Sequence, residues 1–260
     1  MRFKDCVIVI TSGAQRFGEA LARRFASEGA KVVITNLQGK KCESLAAHLK
    51  QAFGVETLAL SVSDHDRVQA AVAKIVRTLG TIDIWVNNAG VYRGTPLERV
   101  SMNEWQMMLD VSYTGVFVCT KASAPVMKTQ QRGRIINMSS SAGRAGFRNS
   151  LAYCSNKATV IGLNRLNRAT ATDLASFGVT VNAVCPGSIL TDMLRKVDDD
   201  ICSHEGSPVG THLRDKAQAI PVAWLGTPED VVGVVTFLAS ADAESVTGQV
   251  IEVDGGEIVV

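Results

Sequence analysis

The sequence predicts an α/β fold: a single doubly wound parallel sheet with helices on both faces. Two observations lead there. Seven short β-rich runs, at 7–10, 32–34, 57–62, 82–86, 134–137, 179–184 and 249–253, alternate with longer helical patterns from end to end. Several of these runs are apolar on both faces, as parallel strands covered by helices on each side must be. No linker, charge block or repeat interrupts the alternation, so residues 1–260 read as a single domain.

The helical segments carry their own signals. Phe17, Leu21 and Phe25 recur every four residues and place a stripe on one helix face. Val68, Val72, Ile75, Val76 and Leu79 do the same in the third unit. Gly29 and Gly54 stand where a left-handed helix C-cap is commonly glycine. Thr227-Pro228-Glu229-Asp230 reads as an N-cap, a first-turn proline and an acidic first turn. The stretch 192–226, with Asp198-Asp199-Asp200 and several Gly and Pro, reads as irregular, and long excursions of this kind are often binding loops or lids.

Composition excludes several classes. The 260 residues are 46% hydrophobic and 20% charged, with a formal net charge of +2. That balance gives no electrostatic case for a nucleic-acid or membrane partner, and aromatics at 5% are too sparse for a base-stacking surface. No apolar run approaches the ~20 residues of a membrane span. The six scattered cysteines form no C-x-x-C and read as reduced thiols, which makes the expected location cytoplasmic. Cys202, His204, His212 and Asp198 to Asp200 offer metal-ligand chemistry, but their spacing matches no closed zinc motif, and no metal is expected.

Ligands of open α/β sheets bind beyond the carboxyl ends of the strands. The first such turn is Thr11-Ser12-Gly13-Ala14-Gln15-Arg16-Phe17-Gly18-Glu19. Gly13 and Gly18 have P-loop spacing, but Glu19 and Ala20 stand where Lys and Ser/Thr would meet a triphosphate, so an NTPase is rejected. Further motifs follow at later strand ends: Asn87-Asn88-Ala89-Gly90, Ser139-Ser140, Tyr153-Cys154-Ser155-Asn156-Lys157, Pro186-Gly187-Ser188-Ile189-Leu190-Thr191 and Val253-Asp254-Gly255-Gly256.

In this order, and over essentially the whole chain, these motifs resemble the short-chain dehydrogenase/reductase family. The resemblance implies a Rossmann-like sheet and a hydride transfer between a nicotinamide cofactor and a small carbonyl or secondary alcohol. It implies Ser140, Tyr153 and Lys157 as catalytic residues, with Ser112 at the place of the family's catalytic asparagine. Tyr153 and Lys157 lie one helical turn apart on the same face, so the ammonium can favour the phenolate. The cofactor would be held by Ser12, Gln15, Arg16, Phe17, Gly18, Asn36, Ser61, Val62, Asn88, Ala89, Gly90, Tyr153, Lys157, Pro186, Gly187, Ile189 and Thr191. Substrate contacts are expected from Ser140, Arg144, Phe147 and Tyr153, beside Arg148, Tyr92 and Arg93 on neighbouring loops, and the stretch 192–226 becomes a substrate lid. Relatives commonly form homotetramers, and the stripe of Leu166, Ala169 and Leu174 suits either such a contact or the sheet.

The chain departs from the family at four places. Ser12 and Arg16 replace glycines of the first turn, Ser61 replaces an aspartate after the third strand, and Ser112 replaces the asparagine. Asn36 stands where NAD-preferring members carry an acid. A missing carboxylate and an added guanidinium favour a 2′-phosphate, so NADP(H) is expected over NAD(H); Leu37, where NADP-preferring relatives often carry arginine, points the other way. The same departures keep open an alternative, a non-catalytic or regulatory dinucleotide-binding relative.

Overall fold

The computed structural model describes residues 1–36, 39–61 and 65–258. Seven strands form one parallel sheet in the order β3-β2-β1-β4-β5-β6-β7. They are β1 (Val7–Thr11), β2 (Lys31–Asn36), β3 (Thr57–Ser61), β4 (Ile84–Asn87), β5 (Gly133–Met138), β6 (Val179–Pro186) and β7 (Val250–Val253). All seven predicted runs are strands. The fourth begins at Ile84 rather than at residue 82; just before it, the Asp83 carboxylate accepts the Val7 amide at 2.9 Å.

Successive strand residues point to opposite faces, and both faces are covered. Ile8, Ile10, Val32, Ile34, Ile84, Val86 and Ile136 pack against α1 (Arg16–Ser27), α2 (Gly39–Phe53) and α9 (Pro228–Ala239). Their neighbours Val7, Val9, Val33, Trp85 and Ile135 pack against α3 (His65–Leu79), α5 (Gly115–Gln130) and α6 (Leu151–Ala175). This two-sided burial is why the strands lack an apolar/polar alternation. Leu174 of the α6 stripe belongs to the second core and faces the sheet, Ala169 is exposed, and the Leu166 side chain lies outside the described residues. The remaining helices are α4 (Met102–Leu109), α7 (Asp192–Glu205) and α8 (Thr211–Ala219).

The cap signals hold. Gly29 has φ +92°, and Thr227 forms a capping box in which Asp230 Oδ2 accepts the Thr227 amide at 2.7 Å. All six cysteines are unpaired thiols. Among the described residues no helix is long and apolar enough to cross a membrane, and no three His, Cys, Asp or Glu side chains gather as metal ligands.

The stretch 192–226 is more ordered than its composition predicts. It holds α7 and α8, and a bridge between Ile189 and Gly226 fastens it to the end of β6. The acidic run is not simply a solvated face. Asp198 is 1% exposed and accepts the backbone amides of Gly210 at 2.6 Å and Leu213 at 2.9 Å, with the Cys202 thiol at 3.6 Å. It therefore caps α8 from a different helix, satisfying amides that a helix start leaves unpaired. Burial pulls the Asp198 pKa up, but the Leu213 and Gly210 amides, the Cys202 thiol and nearby His212 together hold it below the usual carboxylate value.

A carboxyl with a depressed folded pKa stabilises the fold above its unfolded pKa and loses that effect as pH falls through the folded value. Asp198→Asn should therefore lower the thermal midpoint at neutral pH. The gap from the parent protein should close as the pH is taken below the model-peptide aspartate pKa of about 3.9. A pH-independent gap in a calorimetric series would contradict the cap assignment.

Candidate active site

The order of strands reverses between β1 and β4, and the site grows from that crevice. Ser12, at the end of β1, takes a left-handed backbone with φ +54°. A side chain in that region costs about 1 kcal/mol relative to glycine. Gln15 precedes α1 without a side-chain cap, so the first amides of that helix stay open to an anion. Gly18 cannot be replaced in this packing: a Cβ there would sit 2.4 Å from the Ser12 carbonyl oxygen and 2.8 Å from Asn88 Nδ2.

Asn88 and Thr11 staple the two halves of the sheet. Asn88 Nδ2 donates to the Thr11 carbonyl at 3.0 Å and to the Ser12 carbonyl at 3.3 Å. The amides of Asn88 and Ala89 both donate to Thr11 Oγ1 at 2.9 Å. Asn87 turns the other way into the buried layer, where it accepts from Trp85 Nε1 at 2.9 Å and donates to Asn137 Oδ1 at 2.7 Å.

Lys157 is 5% exposed. Its Nζ donates to the Met138 carbonyl at 3.0 Å, and its own carbonyl accepts from Ser139 Oγ at 2.9 Å. Gly90 lies directly against it, since a Cβ there would stand 3.3 Å from Nζ. Nζ is 5.9 Å from the Tyr153 ring centroid, and that ring meets Tyr92 edge-on at 5.0 Å. Burial drives the Lys157 pKa down from 10.5 to about 8, with Cys185 acting weakly in the opposite direction. Ser140 Oγ accepts the Ala142 amide at 3.2 Å, and a hydroxyl that accepts one bond keeps its proton to donate. Ser112 sits in a π turn, Asp110–Thr114, and is 1% exposed. Its Oγ has no hydrogen-bond partner among the described residues and lies 4.0 Å from the place a Gly90 Cβ would take.

These groups open onto a cavity of about 790 Å³. Of the residues expected from sequence, Ser12, Gln15, Phe17, Asn88, Gly90, Ser140, Phe147, Tyr153, Lys157, Pro186, Gly187, Ile189 and Thr191 line it. Gly18, Ala89 and Ser112 are not part of its lining. The expectations for the side chains of Arg16, Asn36 and Ser61, and for Val62, fall outside the described residues.

Arg144, expected as a substrate contact, pairs through its Nε with Glu252 of β7 at 2.8 Å and is not among the residues lining the cavity, whereas Arg148 and Tyr92 are. Leu194, Val197, Glu205, His212 and Lys216 of α7 and α8 form the far wall and carry no sequence motif that points to them. Thr11 was also missed; its position just before the turn was the available signal. A cavity of this size suits a small molecule, and the start of α1, where Gln15 makes no side-chain cap, fits an anionic group such as a phosphate.

Comparison with known proteins agrees with this geometry. The family described as Enoyl-(Acyl carrier protein) reductase matches residues 13–257. The 3-oxoacyl-(acyl-carrier-protein) reductase of Synechocystis sp. is 37% identical over 255 residues, 97% of this chain and 96% of that protein. Galactitol 2-dehydrogenase of Agrobacterium fabrum is 33% identical over 257 residues, 98% of each. The crystal structure of levodione reductase superposes with a TM-score of 0.88 at 30% identity, covering 98% of both chains. With similarity of that extent over one seven-stranded sheet, the chain belongs to the short-chain dehydrogenase/reductase family.

Proposed function

We propose that this chain interconverts a small ketone and its secondary alcohol with a nicotinamide cofactor, using Tyr153 as the acid or base. The observation that carries this reading is the buried Lys157 ammonium one helical turn from Tyr153, at the cavity wall. A tyrosine of ordinary pKa, about 10, is a poor base near neutrality, and a neighbouring cation lowers that value. In the reduction, Tyr153 Oη gives its proton to the carbonyl oxygen while Ser140 Oγ donates a hydrogen bond to the same oxygen. The bound cofactor supplies the hydride. Ser12, Gln15 and the first amides of α1 would hold the cofactor's phosphates, and Lys157, Gly90, Gly187 and Ile189 would hold its nicotinamide end. The walls from α7 and α8 serve as the substrate lid.

The 2′-position of the adenosine ribose decides between the two nicotinamide cofactors. In the sequence, Asn36 stands where a carboxylate would repel such a phosphate, and Arg16 adds a guanidinium to the first-turn motif. NADP(H) is therefore the proposed cofactor. Relatives differ in what their names say they act on, so the substrate is set here only as a carbonyl or secondary alcohol.

Absorbance of the reduced nicotinamide over a panel of a soluble 3-oxoacyl thioester, levodione, galactitol and simple ketones tests the reaction. Turnover of at least one compound is expected, and Tyr153→Phe should lower kcat by about 10²–10⁴-fold. A fully active Tyr153→Phe would reject the acid–base reading, and a wild type inert on the whole panel would favour the regulatory alternative. With the best compound, kcat/KM for NADPH should exceed that for NADH by about tenfold or more, corresponding to ~1.4 kcal/mol. A clear NADH preference would contradict the role given to Asn36 and Arg16.

A further inference from the structure

Asn156 is the motif residue that the mechanism above leaves without a task. It is completely buried, at 0% exposure, immediately before Lys157. Its Nδ2 donates to the Met108 carbonyl at 2.6 Å and ties α6 to the last turn of α4. A carbonyl oxygen can only accept, so this bond fixes which end of the amide is nitrogen. The other end, Oδ1, has no hydrogen-bond partner among the described residues.

Met108 lies four residues before Ser112, whose hydroxyl is a second buried atom without a partner among the described residues. From Asp110 the helix widens into a π turn, and at its end the Gly115 amide donates to the Asp110 carbonyl, five residues back. π turns are rare and recur at functional sites. This one packs against α6. Ser112 Oγ and Lys157 Nζ both stand beside Gly90, one at 4.0 Å and the other at 3.3 Å from the same Cβ position. Buried polar atoms are nearly always paired, so two unpaired ones on elements in contact call for a reason beyond packing.

We infer that Asn156 is a positioning residue: by holding α4 at Met108, just ahead of the π turn, it sets the Ser112 hydroxyl against the Gly90–Lys157 corner of the site. Asn156 does not line the cavity, and it acts through Ser112 and its neighbour Lys157. An amide that merely glued α6 to α4 would act on stability and would be independent of Ser112. The inference rests on the acid–base reading proposed above.

The test is a double-mutant cycle on the full chain, using the panel compound that the wild type turns over fastest. Asn156→Leu removes the donor at similar volume, and Ser112→Ala removes the hydroxyl. Asn156→Leu should lower kcat by about 10–100-fold and shift the pH midpoint of the rate, with KM for the cofactor within about twofold. Ser112→Ala should shift the midpoint in the same direction. Because the two residues act as a unit, the double variant should be no slower than the slower single one. Asn156→Ser keeps a donor for the Met108 carbonyl and should recover most of the rate; if Asn156→Leu does not fold, the smaller Asn156→Ala, which also lacks the donor, carries the cycle instead. Losses that multiply, or a rate and pH midpoint unchanged in Asn156→Leu, overturn the inference alone. A wild type inert on the entire panel overturns the acid–base reading and this inference together.

Discussion

The site depends on one physical constraint, the burial of an ammonium group that has no carboxylate partner among the described residues. Taking such a charge out of water costs several kcal/mol unless hydrogen bonds replace the lost solvent. Lys157 is 5% exposed, and among the described residues the Met138 carbonyl at the end of β5 is the contact that replaces solvent. That bond requires β5 to end where it does. Ser139 Oγ, on the next residue, takes the Lys157 carbonyl and locks the first turns of α6 to the same strand end. Gly90 leaves room for Nζ because it brings no side chain. The ammonium is thus held by backbone and small residues rather than by an opposite charge, which keeps its positive field available to the Tyr153 phenol.

A second set of contacts places these strand ends side by side. Thr11 Oγ1 accepts two amides from the turn after β4, and Asn88 returns two bonds to the backbone after β1. The crevice between β1 and β4 is therefore a bonded junction, and Gly18 lets α1 settle against it. Beneath it, Asn87 and Asn137 pair across β4 and β5 within the buried layer. A polar network that is paired in this way favours one arrangement over its alternatives. Ser12 is the exception, holding a left-handed backbone that glycine would adopt at lower cost.

Much of this was legible in the sequence because it depends on local patterns. Strands apolar on both faces announce a sheet covered on both sides, and Thr227 with Asp230 announces a helix start. The motif residues at strand ends reached the cavity for the same reason, since the carboxyl ends of parallel strands converge by construction. What sequence could not give were partners distant in the chain. Nothing local reveals that Arg144 pairs with Glu252, 108 residues away. Nor does anything local set Asp198 apart within its acidic run, because its partners are the amides of Gly210 and Leu213 at the start of another helix. The composition of 192–226 suggested irregular chain, yet Gly206 and Gly210 take left-handed conformations at the helix boundaries and leave the helices whole. Asn156 was visible in its motif, but its bond to Met108 appears only when α4 and α6 meet.

The measurement closest to the central claim is the titration of Lys157 itself. Nitrogen-15 NMR of the lysine side chains, with Lys157→Met to assign the resonance, follows its Nζ directly. A buried ammonium supported by one carbonyl should release its proton with a midpoint near 8. A midpoint that stays near the ordinary value of about 10.4 would mean that Lys157 is solvated or paired with a carboxylate, and would contradict the account.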